Sequence, residues 1–353
     1  MMSRTTDFLW YIPNNVEAGH RGDVATAGHN GLDALTEQAR ALETYGWKGA
    51  LIGTGWGRPD TFTIAAALAA RTTTFEPLIA ARPGYWRPAN FASSAATLDQ
   101  LTGGRVRVNV VSGVDDLAAY GDEEGNPQQR YARTKEFMRL LRRLWTEEQV
   151  TFAGEYFNVS GSTVVPRLEI RGERRHPQLY FGGASEAAER VAATEADVQL
   201  FWGEPLDGIE ERIHRLKTLS RQLDRDLPPL RFGLRITTLV RDTSAQAWAD
   251  AEARVAAMAK GESGRWNDHK AGQSASNGCS IWQGAAMCWT AISIPHPADT
   301  VAAVPVRHGW SALRRMWLPH CGNTGRSASR ISYSPTRPIF RRSRGRESNY
   351  CPC

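Results

Sequence analysis

In "QLYFGGASEAAE" (178–189) an apolar run ends in two glycines, and a helical pattern begins at once. Backbone N–H groups at a helix start, with Ser185 as a cap, can hold a phosphate. The same residues also suit a tight strand-to-helix turn that needs only small side chains, and so short a motif does not separate the two readings. Tyr131, in "QQRYARTKEF" (128–137), lies near another helix start. Its phenol can donate to a phosphate or simply pack half-buried. No His/Asp/Glu grouping has metal-ligand character, and no Ser-His-Asp arrangement stands out.

These residues sit in a chain whose period alternates. Short β-rich runs are "FLWYIP" (8–13), "GALIGTG" (49–55), "FEPLIAARP" (75–83), "RVRVNVVSG" (105–113), "QLYFGG" (178–183), "VQLFWGEP" (198–205) and "LRFGLRITTLVRD" (230–242). Between them run helical stripes: Leu32, Leu35, Ala39 and Leu42; Phe137, Leu140, Leu141 and Leu144 beside Trp145; and Ile209, Ile213, Leu216 and Leu219. Strands alternating with helices predict an α/β fold with a parallel sheet, here approaching a (β/α)8 TIM barrel truncated to about seven strands. "VTFAGEYFNVSG" (150–161) has period two around Gly154 and predicts an inserted β-hairpin.

The working face of such a barrel is the C-terminal end of its strands. That rule selects Pro13 to Asn15, Thr54 to Arg58, Arg82 to Trp86, Ser112 to Asp115, Gly182 to Ser185 and Trp202 to Glu204. The seventh run is long, and the pattern does not settle which of Arg235, Thr237 and Thr238 point inward.

The chain has 353 residues, 41% hydrophobic and 23% charged, and reads as a soluble globular protein. No apolar run approaches the length of a membrane span, and "MMSRTTDFLWYIP" lacks the apolar core of a signal peptide. The expected compartment is the cytoplasm. The net charge of +6 invites a nucleic-acid reading, but residues 1–271 hold 33 Lys+Arg against 35 Asp+Glu. Residues 272–353 hold 10 Arg, no Lys, Asp299 and Glu347, so the basic character belongs to that tail. Nucleic-acid-binding arms usually mix Lys with Arg, which argues against an Arg-rich binding tail. Neither nucleic acid nor membrane is expected as a partner.

Together, "WYIP", "GALIGTG", "AATLDQLTGGRVRVNVVSG", "RYARTKEF", "PQLYFGGASEAAERVAA", "LFWGEP" and "RFGLRITTLVRDT" resemble the bacterial luciferase-like flavin-dependent monooxygenases, and within them the alkanesulfonate monooxygenase branch. The strings occur in order over about residues 7 to 260. The resemblance implies a (β/α)8 barrel that takes reduced FMN from an NAD(P)H-dependent flavin reductase and oxygenates an organosulfur substrate with O2. For an alkanesulfonate the products are an aldehyde and sulfite. The resemblance also places Tyr131, Gly183, Ala184 and Ser185 at the FMN phosphate, and Asn109 and Ser112 near the isoalloxazine. Arg235 matches an active-site arginine, where a cation can stabilise an anionic oxygen or the sulfonate. Trp202 either walls the pocket or packs in the core. A homo-oligomer is implied as well.

Three pocket positions depart from the alkanesulfonate pattern. Asn15 and Thr237 stand where that branch has histidines, and Arg58 stands where it has a cysteine. Arg58 either binds an anion or is a solvated loop residue. A sulfone or another organosulfur compound therefore competes with an alkanesulfonate as substrate. A relative using a deazaflavin as hydride carrier is the alternative within the same barrel family.

After Ala271 the alternation stops. The tail holds all five cysteines, 11 serines and two leucines. Its cysteine spacing fits no metal site, and a disulfide module does not suit a body without cysteine. Such text is what a GC-rich coding region gives when read out of frame. Read one base back, a codon beginning with T puts T second, which always encodes an apolar residue. Cys279, Ser280 and Trp282 then hide leucines, and Ser329, Ser332, Tyr333 and Ser334 hide Ile, Phe, Val and Leu. The hidden frame spells a helix and strand suited to close a barrel. The expectation is one base lost near Ala271, a barrel at 1–271 lacking its last strand, and a tail at 272–353 without a packed core. The chain should then be unstable or weakly active, because an unclosed barrel exposes two sheet edges.

Overall fold

The computed structural model describes residues 6–12, 31–56, 58–112, 117–122, 125–236, 238–261, 289–293 and 301–305. In chain order the first elements are β1 (Leu9–Ile12), α1 (Leu32–Thr44), β2 (Gly49–Ile52), α2 (Thr61–Ala69), β3 (Glu76–Ala81), α3 (Pro88–Thr102), β4 (Arg107–Val110) and α4 (Pro127–Thr146). Then come β5 (Val150–Ala153), β6 (Asn158–Ser162), β7 (Leu179–Gly182), α5 (Glu186–Glu195), β8 (Val198–Trp202), α6 (Leu206–Gln222) and β9 (Arg231–Arg235).

Seven of these strands form one parallel sheet in the order β1-β2-β3-β4-β7-β8-β9. This is the curled α/β sheet of a TIM barrel with seven strands, as the alternating pattern predicts. β1 and β9 lie at its two ends. The strands alternate between an outer apolar layer and an inner face, as the period of two requires. Ile12, Ile52, Ile79, Val108, Phe181 and Phe201 point outward into the main core with the helices. Leu9, Leu51, Leu78, Tyr180, Val198 and Leu200 line the inner face. β5 and β6 pair antiparallel as the expected hairpin.

The helices follow local signals. α4 opens with Pro127 at its start and a reciprocal capping box between Asn126 and Gln129. Its apolar stripe of Phe137, Leu140, Leu141 and Leu144 is fully buried. α3 stops at Gly103, which takes the left-handed conformation (φ 61°) that a side chain resists. Leu32, read as part of the α1 stripe, is exposed instead, because it opens the helix beyond the edge of the core.

Carboxylates staple the connections. Glu43 accepts from the backbone N–H groups of Thr73 (2.7 Å), Thr74 and Phe75 (2.8 Å), tying α1 to the start of β3. Glu136 on α4 accepts from Glu155 and Tyr156, fixing the hairpin turn. Asp99, fully buried on α3, binds Arg174 and the N–H of Glu169. Near the N-terminal end of the sheet, Arg107 reaches Asp7 (3.0 Å), Glu76 and the Tyr180 hydroxyl. Burial opposes its charge, but Tyr180, Glu76 and Asp7 outweigh that and hold its pKa above the ordinary value.

One sequence expectation is corrected. The run 230–242 is not a single strand. β9 ends at Arg235, and Val240–Arg241 forms a separate strand, β10. β10 is followed by α7 (Ser244–Gly261) and pairs antiparallel with β12 (Val301–Pro305), which pairs with β11 (Trp289–Ser293). Alternation alone cannot show a break that leaves β-forming residues on both sides. Of the tail, only these two strands fall among the described residues. The remaining expectations for 272–353 lie outside them.

Candidate functional site

β7 delivers Gly182 and Gly183 to the C-terminal end of the sheet, and Ser185 caps α5 there. The Ser185 hydroxyl accepts from the N–H of Ala188 (3.3 Å). A Cβ on Gly183 would stand 2.5 Å from that of Ala188, so only glycine lets the chain turn this tightly into the helix. The Gly183 carbonyl accepts from Gln199 Nε2 (3.0 Å) and Arg212 Nη2 (2.6 Å). Because the peptide is planar and trans, pinning that carbonyl on one side aims the N–H of Ala184 to the other. Tyr131, at the start of the second turn of α4, puts its hydroxyl 3.8 Å from where the missing Gly183 Cβ would be. Its ring meets Phe181 edge-on at 6.4 Å. Tyr131, Gly183, Ala184 and Ser185 therefore converge, although about fifty residues of sequence separate the tyrosine from the loop.

Arg212 organises this corner and escaped sequence reading. It is buried on α6, binds Glu189 (2.9 Å) and Glu204, and lies over Phe201 at 4.9 Å. Burial raises the pKa of Glu189, but hydrogen bonds from Arg215 and Arg212 outweigh it and leave the carboxyl below its usual range. A signal was available: Arg212 interrupts the stripe Ile209–Ile213–Leu216 at helical spacing, which calls for a buried partner.

β4 and the residues just past its end separate two residues that sequence had grouped. Asn109 is 8% exposed, and its Oδ1 has no hydrogen-bond partner. Ala80 lies beside it in register on β3, on the same face as Leu78 and Tyr180. Ser112 goes the other way: its hydroxyl bonds Thr134 on α4, whose own hydroxyl donates to the Arg130 carbonyl (2.8 Å). Ser112 thus engages the helix that carries Tyr131.

The mouth of the sheet is aromatic and basic. The Arg235 guanidinium lies 4.7 Å from the Trp202 ring and 5.6 Å from the Tyr11 ring. Arg58 Nη1 donates to the Tyr11 hydroxyl at 3.1 Å. Trp202 is 57% exposed, so it lines the mouth and is not a core residue. Tyr85 and Tyr120 stack at 3.5 Å with Trp56 edge-on to Tyr120, and Arg82 stands over Tyr85. Tyr120 donates to the Gly55 carbonyl, closing the shelf against the loop after β2. Among the described residues no cluster of His, Cys, Asp and Glu could hold a metal ion, and no helix is long and apolar enough to cross a membrane. Asn15 and Thr237 lie outside the described residues.

These features fit a planar group bearing a phosphate. Asn109 presents an unsatisfied buried acceptor inside the sheet, in register between Ala80 and Tyr180. A buried polar atom without a partner is costly and calls for a ligand or water. The Tyr131 hydroxyl and the Ala184 N–H offer donors beyond the rim.

Known proteins share this architecture. A riboflavin lyase (RcaE), solved with modified FMN and substrate riboflavin, matches with a TM-score of 0.64 and 19% identity, over 72% of this chain and 67% of that one. A long-chain alkane monooxygenase (LadA) matches at 0.63 and 17%, over 72% and 69%. An F420-dependent secondary alcohol dehydrogenase matches at 0.54 and 20%, over 65% and 68%. At such identities the likeness establishes the fold. The family model described as luciferase-like monooxygenase matches residues 6–287, which runs past Ala271 and includes every residue of the site described above. The chain belongs to the luciferase-like monooxygenase family.

Proposed function

We propose that the chain is a monooxygenase that uses reduced FMN and O2 on an organosulfur substrate, an alkanesulfonate first. Family membership makes it an oxidoreductase and carries a flavin or deazaflavin cofactor without choosing between them. The observation that carries the substrate class is the meeting of two guanidiniums, Arg58 and Arg235, on Tyr11 beside the exposed ring of Trp202. A cationic, aromatic mouth selects a substrate with an anionic head and an apolar body.

A reduced flavin, when bound, supplies the two electrons that activate O2. The overall change balances as alkanesulfonate, reduced flavin and O2 giving aldehyde, hydrogensulfite, oxidised flavin and water. The chain's own residues bind and orient. Tyr131 and the Ala184 N–H would hold the phosphate. The Gly183 carbonyl, fixed by Gln199 and Arg212, keeps that N–H aimed. Asn109, whose buried Oδ1 lacks a partner, would accept a hydrogen bond from the flavin. Arg235 provides positive charge where negative charge develops. Trp202, Trp56 and the Tyr85–Tyr120 stack exclude water. An NAD(P)H-dependent flavin reductase supplies the reduced cofactor, and the enzyme works as a cytoplasmic homo-oligomer.

The test is reconstitution with an FMN reductase, NADH and a series of C2–C10 alkanesulfonates, reading sulfite release. Sulfite dependent on both flavin and O2 supports the proposal. Turnover only with reduced F420, and without O2, would replace it with the deazaflavin reading, which the likeness to the F420-dependent dehydrogenase favours.

Residues 272–353 we read as the out-of-frame end of a barrel gene, with 1–271 as the incomplete barrel. Sequencing the coding DNA from about codon 260 tests this. TCN codons at Ser280, Ser329, Ser332 and Ser334 support the reading, and AGY codons reject it.

A further inference from the structure

The helices bury the outer face of the sheet along its middle and leave it open at its two ends. On the central strands the outward residues Ile52, Ile79, Val108 and Phe181 are fully buried. On β1, Trp10 faces the same way as buried Ile12 yet is 43% exposed, and Phe8, two residues earlier, is 53% exposed. On β9, Leu234 stands in register with buried Phe201 and is 42% exposed. Among the described residues β1 pairs only with β2 and β9 only with β8, so each presents an unpaired row of backbone groups. Edges of this kind are normally blunted by charge, proline or a bulge. β1, Leu-Trp-Tyr-Ile, has none of these and runs in unbroken register. The two edges face each other closely, since the Arg235 guanidinium reaches the Tyr11 ring at 5.6 Å. One inserted strand needs two strand spacings, about 10 Å, between its neighbours. An arginine and a tyrosine meeting end to end span that width.

We propose that the gap between β9 and β1 is a docking site for one helix-and-strand segment, and that the folded chain accepts this segment in trans as a separate peptide. Its strand runs parallel and pairs with both edges at once. The strand's outward side chains come between Leu234 and Trp10. Its helix lies over Leu234 and Phe232, whose ring stacks on Phe201 at 5.8 Å. A second copy of the chain does not fit this gap. Its edge strands are each paired on one side already, and a gap one strand wide between two edges takes only a strand free on both sides. The shifted frame over codons 313–336 has the right chemistry, with Ile, Phe, Val and Leu hidden at Ser329, Ser332, Tyr333 and Ser334. The choice of that segment rests on the out-of-frame reading proposed above, whereas the docking site rests on the open edges.

The test is titration of the full chain with a fluorescein-labelled synthetic peptide, the shifted reading of codons 313–336 with TCN serines. Anisotropy should saturate with a Kd of about 10 μM or tighter. The urea midpoint should rise with peptide concentration, because only the folded chain binds. Amide hydrogen exchange should slow in Leu9–Ile12 and Arg231–Arg235 and stay unchanged in the central strand Glu76–Ala81. Leu234→Glu, at an exposed position, should weaken binding about tenfold or more and leave the midpoint of the free chain unchanged. A peptide with proline in mid-strand lacks a ladder N–H and should lose about tenfold or more as well. No saturation, an unmoved midpoint, or protection elsewhere than β1 and β9 overturns the docking site. A dimer in light scattering, with β1 and β9 protected before peptide is added, gives the gap to a second copy and overturns it too. Binding of the peptide while the coding DNA shows AGY serines keeps the docking site and rejects the frame reading. TCN serines without binding do the reverse.

Discussion

Arg235 and Tyr11 touch, with 5.6 Å between guanidinium and ring centroid, although β9 and β1 are the opposite ends of the sheet. The seven strands have therefore curled until the two edge strands face each other at their C-terminal ends. A cation–π contact of this kind contributes roughly 0.5–2 kcal/mol, depending on how dry the site is. Replacing Tyr11 by Ala removes the joint and the acceptor for Arg58 together. We expect a loss of about 1–3 kcal/mol in urea unfolding, the sum of that contact and one hydrogen bond. Unchanged stability would mean that the edges are held by other contacts.

Arg212 links the charge network of α5 and α6 to the Gly183 carbonyl. Replacing it by Met leaves Glu189 with Arg215 only, Glu204 without its partner and the Gly183 carbonyl with Gln199 alone. Removing one member of a buried ion pair typically costs about 3–5 kcal/mol. The variant should show that loss in denaturation and at least tenfold weaker FMN binding by flavin fluorescence. A variant that loses stability yet binds FMN normally would separate Arg212 from the loop.

Gly183→Ala tests the same loop from the other side. The added methyl would meet Ala188 at 2.5 Å, so the turn must move. Overpacking of this kind costs about 1–3 kcal/mol. Affinity for FMN should fall more than stability, because the displaced N–H of Ala184 is the group aimed at the phosphate. Inorganic phosphate and riboflavin serve as partial ligands: binding of riboflavin should be least affected.

The strands were legible because each is a short apolar run closed by Gly, Pro or a charge, and helices were legible where apolar residues recur every three or four positions. Ser185 was readable as a cap for the same local reason. What sequence could not show was which residues meet. Asn109 lies on β4 facing the inside of the sheet, whereas Ser112 lies two residues beyond the strand's end and turns to Thr134 on α4. Their common assignment to the flavin came from resemblance and not from geometry. Arg58 had two readings because loop sequence carries no direction, and only the turn at Gly55 decides that it faces Tyr11. Arg212 stayed hidden because its partners Glu189 and Glu204 lie on other elements. The break between β9 and β10 was invisible because residues on both sides favour strands.

His176 provides a pH test independent of the site. Its ring stacks on Trp145 at 6.4 Å between centroids, and Nδ1 lies 2.9 Å from the Pro177 carbonyl and 3.9 Å from Asp197. Burial lowers its pKa. Asp197 and the Pro177 carbonyl oppose that shift, and the neighbouring guanidiniums of Arg142 and Arg174 add to it. Below about pH 6.5 the unfolded chain takes up a proton that the folded chain does not. The stability that the neutral ring contributes is therefore complete above about pH 6.5 and declines as pH falls through the folded value. His176→Gln should flatten that decline. Urea unfolding at pH 7.5 and 5.5 measures it, above the range where most carboxylates titrate. Wild type should lose more stability between the two pH values than the variant does. Equal losses would mean that His176 stays as readily protonated in the fold as in the open chain, and the burial argument for this ring would fail.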